Sequence, residues 1–570
     1  MRNKAVWGVP ENAVRTTFVR TKTGDALDAP HVHAITKSIL WFRELWLDFS
    51  LNELLGLRCA NNHTFKLGAF PFELGRGIAL GSAYAVNGTI LGSFSDNTID
   101  QFAYGFKFSG QVISSLQYDL YGAILRNQME SFNATAANVR GQEYGHKENQ
   151  QRGSGRVDFV VASRLQWYPE FMQSEASSAS FEPYILYNNA PSQMVEFPED
   201  ASTQLCTLGM AGEYVIGDFE WGFDVAKNVG HQSVRGWDRN EITGTNRYGA
   251  YTFINSQVTT LPDGKGDKVV YVGGSQAQKA IDAVPQDAKQ NNQCVNVVVV
   301  NGSTVCQPVQ NPASATPLEI PIYNSPNRFR DAYANQLKGW MMVGDAAYWL
   351  FDRQLRFAGM FGYATGDENP NLDLDSPNES VKDSDFKGFI GLQELYSGDR
   401  VQSVFLLGGA GRAPRPLSLP SRNLINTNPT NLSGFTNLIT TGASIYYSPS
   451  LPKHQITLRS NVLSYWQQHA TKAFDLATKS VSKDRYARNF LGIEWNVFFD
   501  VMLATDFKFF AVGSLFFPGS HYTDIKGQPL NKEQQKILDR LDVTGIDPSS
   551  IPLISNDTAY TLNLGLEYRF

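Results

Sequence analysis

The last twelve residues, Ala559 to Phe570, constrain this chain more than any other stretch. Tyr560, Leu562, Leu564, Leu566, Tyr568 and Phe570 share one parity, and Thr561, Asn563, Glu567 and Arg569 share the other with Ala559 and Gly565. Alternation of this length describes a strand with one apolar and one wet face. A strand of a soluble sandwich shows the same pattern, but it is usually shorter and has no reason to end the chain on an aromatic.

An apolar parity that faces lipid, a polar parity that faces a lumen, and a closing Tyr568 and Phe570 in an aromatic girdle are the features of the terminal strand of an outer-membrane barrel. Composition agrees. A mean hydropathy of -0.28 and the lack of any run of about 18 apolar residues exclude a bundle of membrane helices. Half of each barrel strand is polar, so such averages hide its greasy face. The 570 residues show no linker and are read as one domain. A net charge of -6 gives no reason to expect nucleic acid as a partner.

Alternating runs recur along the chain and add up to an all-β, antiparallel barrel of about 18 strands. They are Val14–Arg20, Ile39–Leu51, His63–Phe72, Phe102–Gly110, Ser114–Asn127, Arg156–Tyr168, Phe181–Asn189, Gln204–Tyr214 and Phe219–Gly230. The second half adds Leu337–Leu350, Leu355–Thr365, Phe386–Tyr396, Val401–Arg412, Asn437–Ser448, His454–Gln467, Asn489–Asp500, Asp506–Phe517 and the terminal strand. Even connections such as Gln111–Ile113, Val215–Asp218, Phe351–Gln354, Ser397–Arg400 and Val501–Thr505 are brief. Odd ones such as Glu73–Gln101, Gln128–Gly155 and Pro518–Thr558 are long. Short periplasmic turns alternating with long external loops produce this rhythm.

The odd connection His231–Gln336 is expected to fold on itself, to turn inward as a constriction, or to lack order. Within it, Lys268–Val272 and Val295–Val300 are expected to form a hairpin closed by a disulfide between Cys294 and Cys306. Asn531–Leu541 reads as a short loop helix. The first residues lack the apolar core of an export signal, so a leader is expected to precede the mature barrel.

Several segments resemble the alginate-export family of outer-membrane proteins. Phe42 to Asp48 is similar to an early strand of that family, and Lys66-Leu67-Gly68 with Leu74-Gly75-Arg76-Gly77-Ile78-Ala79-Leu80-Gly81 to its glycine-rich second strand and loop. Phe361 to Pro370, containing Gly366, Asp367, Asn369 and Pro370, resembles its "Y-A-S-G-D-x-N-P", and Phe516-Phe517-Pro518-Gly519 its "F-F-P-G". Many members carry Gly-Arg-Gln where this chain has Gly68-Ala69-Phe70, and the 231–336 insertion is large. The resemblance implies an 18-stranded barrel that passes an anionic polysaccharide.

Parity assigns the lumen-facing charges. Bases are Lys66, Arg156, Arg164, Arg356, Arg459, Lys508 and Arg569. Acids are Glu44, Asp48, Asp119, Asp158, Glu220, Asp224, Asp345, Glu494, Asp500, Asp506 and Glu567. Such groups either pair across the wall and keep the lumen wet or form a constriction that selects solutes. Glu44, Asp119, Arg156, Asp158, Arg164, Asp224, Asp345, Arg356, Arg459 and Glu494 are the candidates for that constriction.

The function expected is therefore passive passage of small hydrophilic solutes or of oligo- or polysaccharide across the outer membrane, without catalysis. The expected surroundings are outer-membrane lipid, lipopolysaccharide and the barrel-assembly machinery of a Gram-negative-type cell. An adhesin or receptor acting through the long loops is the alternative. The acidic run with Asp367, Asp373 and Asp375 is a weak candidate for Ca²⁺, and no other cofactor is expected. No recognisable catalytic motif surrounds any of the histidines His63, His146, His231, His454, His469 and His521.

Overall fold

The computed structural model describes residues 2–8, 39–54, 56, 61–81, 103–127, 157–193, 201–234, 237–238, 268–269, 294–300, 303–308, 321–322, 329–330, 332–368, 384–392, 396, 398–404, 435–451, 455–478, 480–528 and 553–568. Its main sheet holds 18 strands, the number expected, joined almost wholly by antiparallel pairing.

In chain order these are β1 (Arg2–Gly8), β2 (Ile39–Ser50), β3 (His63–Ala69), β4 (Tyr104–Ile113), β5 (Leu116–Asn127), β6 (Val157–Trp167), β7 (Ser177–Gln193), β8 (Ala201–Ile216) and β9 (Phe219–Val234). There follow β10 (Tyr333–Leu337), β11 (Trp340–Leu350), β12 (Leu355–Ala364), β13 (Asp385–Phe386), β14 (Leu438–Tyr447), β15 (Ile456–Gln467), β16 (Phe490–Ala504), β17 (Phe507–Pro518) and β18 (Ala559–Tyr568).

Each long strand pairs with the next, so the sheet is a meander. Two of the 18 are short additions. β10 and β11 lie end to end along β9, and two-residue β13 runs parallel to β10. Among the described residues the wall therefore makes sixteen full passes, bounded by β1 and β18.

The expected alternation of faces is present. On β11, Met341, Val343, Asp345 and Ala347 are buried, whereas Trp340 and Tyr348 are exposed. Outward positions on the other strands carry exposed apolar side chains, among them Val161, Leu165, Ile185, Leu208, Val225, Phe357, Ile445, Val462 and Leu564. Aromatic contacts gather at two heights. Trp167 meets Phe181, and Trp221 meets Tyr214 and Phe223, near the short turns; Trp340 meets Tyr363, and Trp466 meets Phe490, near the long loops.

Eight residues separate Trp340 from Tyr348, about 27 Å along a strand and about 20 Å once strand tilt is included, close to the height of a barrel's apolar band. An apolar outer band between two aromatic rings is the lipid-facing surface of an outer-membrane β-barrel.

The turns at one end are tight. β8 and β9 are joined through Gly217 and Asp218, and β11 and β12 through Phe351, Asp352, Arg353 and Gln354, the first three with φ of 52°, 51° and 63°. Left-handed backbone at consecutive non-glycine residues is uncommon, and closing the hairpin compensates its cost here.

Several expectations need correction. Phe386–Tyr396 and the start of Val401–Arg412 are not wall strands. Apart from β13 their described residues lie inside the barrel, and Ser397–Arg400 is no periplasmic turn. Alternation misleads here because a segment clamped between the wall and a second segment buries both of its faces.

Asp506 sits exposed in the turn between β16 and β17 and not in the lumen, one residue short of the strand start that parity presumed. In the long insertion, Cys294–Val300 pairs with Ser303–Pro308, and Lys268–Val269 with Pro321–Ile322, so the hairpin expected between Lys268–Val272 and Val295–Val300 does not form. For Val295–Val300 the nearer partner in sequence, Ser303–Pro308, wins because its loop is cheaper to close. Trp237–Asp238 pairs with Phe329–Arg330, and the segment thus folds back on itself. Val14–Arg20 and Asn531–Leu541 lie outside the described residues.

Candidate functional site: two segments inside the barrel

The described start of the connection after β3 stays within the barrel. Phe70 to Gly81 turns inward with Leu74, Ile78, Ala79 and Leu80 no more than 1% exposed. From the opposite wall, the described residues between Phe386 and Val404 do the same, burying Phe389, Ile390, Leu392, Tyr396 and Val401. The two meet where Leu80 bridges Leu392, through Leu392 N–H to Ala79 O at 2.9 Å and Gly81 N–H to Leu392 O at 3.0 Å. Wall positions facing them are correspondingly apolar: Leu186, Leu205, Met341, Leu463 and Tyr465 point inward and are at most 1% exposed. The inner parity is therefore not uniformly polar, because part of it packs on protein and not on water.

Polar anchors fix both segments. Asn228 on β9 acts as a piece of strand backbone: its Nδ2 donates to Ile390 O at 3.2 Å and its Oδ1 accepts Ile390 N–H at 2.7 Å. Glu494 on β16 is fully buried and accepts from Val404 N–H at 2.6 Å, Ser403 Oγ at 3.1 Å and Tyr465 Oη at 3.0 Å. Asp224, also fully buried, accepts Arg76 N–H at 2.9 Å and Tyr184 Oη at 2.7 Å. Gly75 has φ 53°, and a Cβ there would strike the Asp224 carboxylate, so only glycine allows the chain to approach this closely.

Where the segments meet, two guanidinium groups lie among four carboxylates. Arg76 pairs with Asp345, Glu213 and Asp399, and Arg400 with Asp345, Glu213 at 2.8 Å and Glu220 at 3.3 Å. Asp345 is 1% exposed at its side chain, but Glu213 is 43% and Asp399 51% exposed, so one side of the cluster is wet. Burial first, then Asp399, Asp345 and Glu213, act on Arg76; the carboxylates outweigh burial and hold it above the ordinary arginine range.

A second row of charges crosses the wall beside the first segment. Lys66 pairs with Asp48 at 3.4 Å, Lys107 with Asp119 at 3.6 Å, and Arg164 with Asp119 at 2.7 Å and Glu182 at 3.3 Å; Arg164 also lies over the Phe72 ring. On the turn side, Arg356 and Arg459 both stack on Tyr446, 5.2 and 5.3 Å from its ring centre, and Arg356 also on Trp349. Neither Nε has a hydrogen-bond partner among the described residues.

Of the residues assigned from sequence, the structure brings Asp224, Asp345 and Glu494 against the inward segments and sets Asp119 and Arg164 in the row beside them. Arg356 and Arg459 lie apart in the stack. Asp158 accepts from Asn188 Nδ2 at 2.7 Å, away from that cluster. Glu44 and Tyr568 are placed as backbone in β2 and β18, opposite Lys4 and Phe507. Arg156, Asn369, Pro370, Asp373, Asp375 and Phe570 lie outside the described residues. Asp367 accepts Lys387 N–H at 3.1 Å and Gly366 N–H donates to Gln468, so this part of the family-like motif buttresses the inward segment at the rim.

Sequence reading missed Arg76, Lys107, Glu182, Glu213, Asp399 and Arg400. Lys107 was legible, lying between Phe106 and Phe108 on one strand, and Arg76 stood inside a glycine-rich motif. Nothing local marks Arg400. Of the histidines, His63 Nδ1 lies 3.0 Å from Tyr118 Oη and His521 Nδ1 3.0 Å from the Arg488 carbonyl.

No protein-family model and no curated protein matches the chain. Solved structures that match include OccK11 (OpdR) of Pseudomonas aeruginosa, at 9% identity over 89% of this chain and 76% of that one with a TM-score of 0.32. A Pseudomonas aeruginosa FadL homologue matches at 9% identity over 80% of each chain with a TM-score of 0.24. The ferric-catecholate import receptor Fiu of E. coli K12 matches at 10% identity over 80% of this chain and 61% of that one with a TM-score of 0.22. The class of the fold rests on the chain's own strands and their lipid-facing band.

Proposed function

We propose that this barrel is a passive outer-membrane channel for small hydrophilic solutes or saccharide chains, and that the two inward segments form its selective constriction. The carrying observation is the cluster around Arg76 and Arg400. Its fixed charges stand inside the barrel, locked by opposing segments, yet Glu213 and Asp399 remain open to water. In a lumen of low effective dielectric, fixed charges act strongly on a passing solute.

Kinship with the alginate-export family is the finer part of the proposal. It is supported by the Leu74–Gly81 motif, which supplies Arg76 to the constriction. Conductance of the purified chain in a planar bilayer, with candidate saccharides and small acids added to one side, tests the reading. Discrete channels blocked by a solute of the right class are expected. A chain that inserts but never conducts would refute a channel and favour a receptor acting through its loops.

A further inference from the structure

Lys227 occupies an unusual place for a cation. Its neighbours along β9, Asp224, Ala226 and Asn228, are buried inward, whereas Lys227 points outward with exposed Val225 and Val229. Register sets it opposite Leu208 on β8 and Trp340 on β11, both exposed apolar side chains on the lipid side. The diagonal outward positions are Cys206, Met210, Met342 and Lys338, so none of the six described residues opposite or diagonal to it is a carboxylate. Lys338 is itself exposed and held by Asp385 at 2.6 Å. Trp340 stacks on Tyr363, ring centres 4.8 Å apart, and marks the edge of the apolar band nearest the long loops.

A lysine on the lipid face is costly near mid-membrane and close to neutral only at the interface, where its flexible stem carries the ammonium to the headgroups. Lys227 stands level with that edge, beside a pair of rings suited to sugar or acyl packing. We propose that the outward corner of β9, β10 and β11 is a seat for a phosphorylated lipid headgroup of the leaflet on the long-loop side. Lys227 takes the phosphate, and Trp340 with Tyr363 covers the adjoining apolar part. The seat rests on the barrel fold but not on what the channel passes.

The test is native mass spectrometry of the purified full chain in micelles, with a bis-phosphorylated lipid A or its dephosphorylated form added. Wild type, Lys227→Gln and Lys227→Arg are compared. One basic side chain at a membrane surface contributes about 1 kcal/mol, so Lys227→Gln should lower occupancy by the phosphorylated lipid about five-fold while Lys227→Arg retains it. Equal binding of the two lipids, or equal occupancy of wild type and Lys227→Gln, would overturn the seat. Bilayer conductance of the same samples separates that failure from failure of the channel reading.

Discussion

Removing the Arg400 guanidinium tests whether the constriction is fixed by one ion cluster or by many anchors. Arg400 is 10% exposed at its side chain and contacts Asp345, which is 1% exposed, Glu220 at 17% and Glu213 at 43%. Breaking a fully buried pair costs about 3–5 kcal/mol. Here Arg76 stays beside Asp345 and Glu213, and water reaches Glu213, so about 2–3 kcal/mol is the reasonable loss for Arg400→Ala. The segment keeps two hydrogen bonds to Asn228 and the donors on Glu494, each about 1 kcal/mol or somewhat more where charge assists.

The single variant should therefore hold the segment in place, with unit conductance in 1 M KCl changed less than about two-fold. Adding Glu494→Ala removes the second anchor and leaves Ser403 and Val404 N–H without their acceptor. The double variant should flicker between the native level and one several-fold larger. A wide, steady pore from Arg400→Ala alone would show that the cluster is the sole lock. An unchanged double variant would show that apolar packing of Phe389, Ile390 and Leu392 suffices.

Three further outcomes follow. Deleting Phe570 should leave unassembled protein in the periplasm, because β18 must find a partner on its second edge and an open edge in lipid leaves several unsatisfied backbone groups; normal insertion of the deletion would refute this. Reversal potentials in a KCl gradient should show no strong anion preference in wild type and a shift toward cations in Arg356→Ala with Arg459→Ala, since neither base has an ion-pair partner among the described residues; an unshifted potential would remove that stack from the pathway.

The third outcome concerns pH. His521, fully buried in the short helix Ser520–Asp524, is pushed down to about 4 by burial, against the pull of the Arg488 carbonyl and Asp524. The unfolded chain takes up this proton first, so the stabilisation is complete above pH 6.5 and lost as pH falls toward 4, amounting to about 3 kcal/mol. Hydrogen exchange of the helix amides, corrected for intrinsic rate, should rise over that window. A response unchanged in His521→Leu would assign it to another group.

The sequence by itself determined the wall. Period-two alternation needs only neighbours along one strand, so β5, β11, β15 and β18 were legible, as were their lipid-facing sides and the tight turns at Val215–Asp218 and Phe351–Gln354. It also gave Asp119, Arg164, Asp224, Asp345 and Glu494 an inward direction. Only the tertiary structure decided what those side chains meet.

Asp345 reads as one charge among many until Arg76 and Arg400, 269 and 55 residues away in sequence, converge on it. Phe386 to Val404 reads as two more strands, because alternation cannot distinguish lipid on one face from a second protein segment. Short-range pattern encodes which way a side chain points. What fills the space in front of it depends on contacts between residues hundreds apart, and these leave no periodic trace.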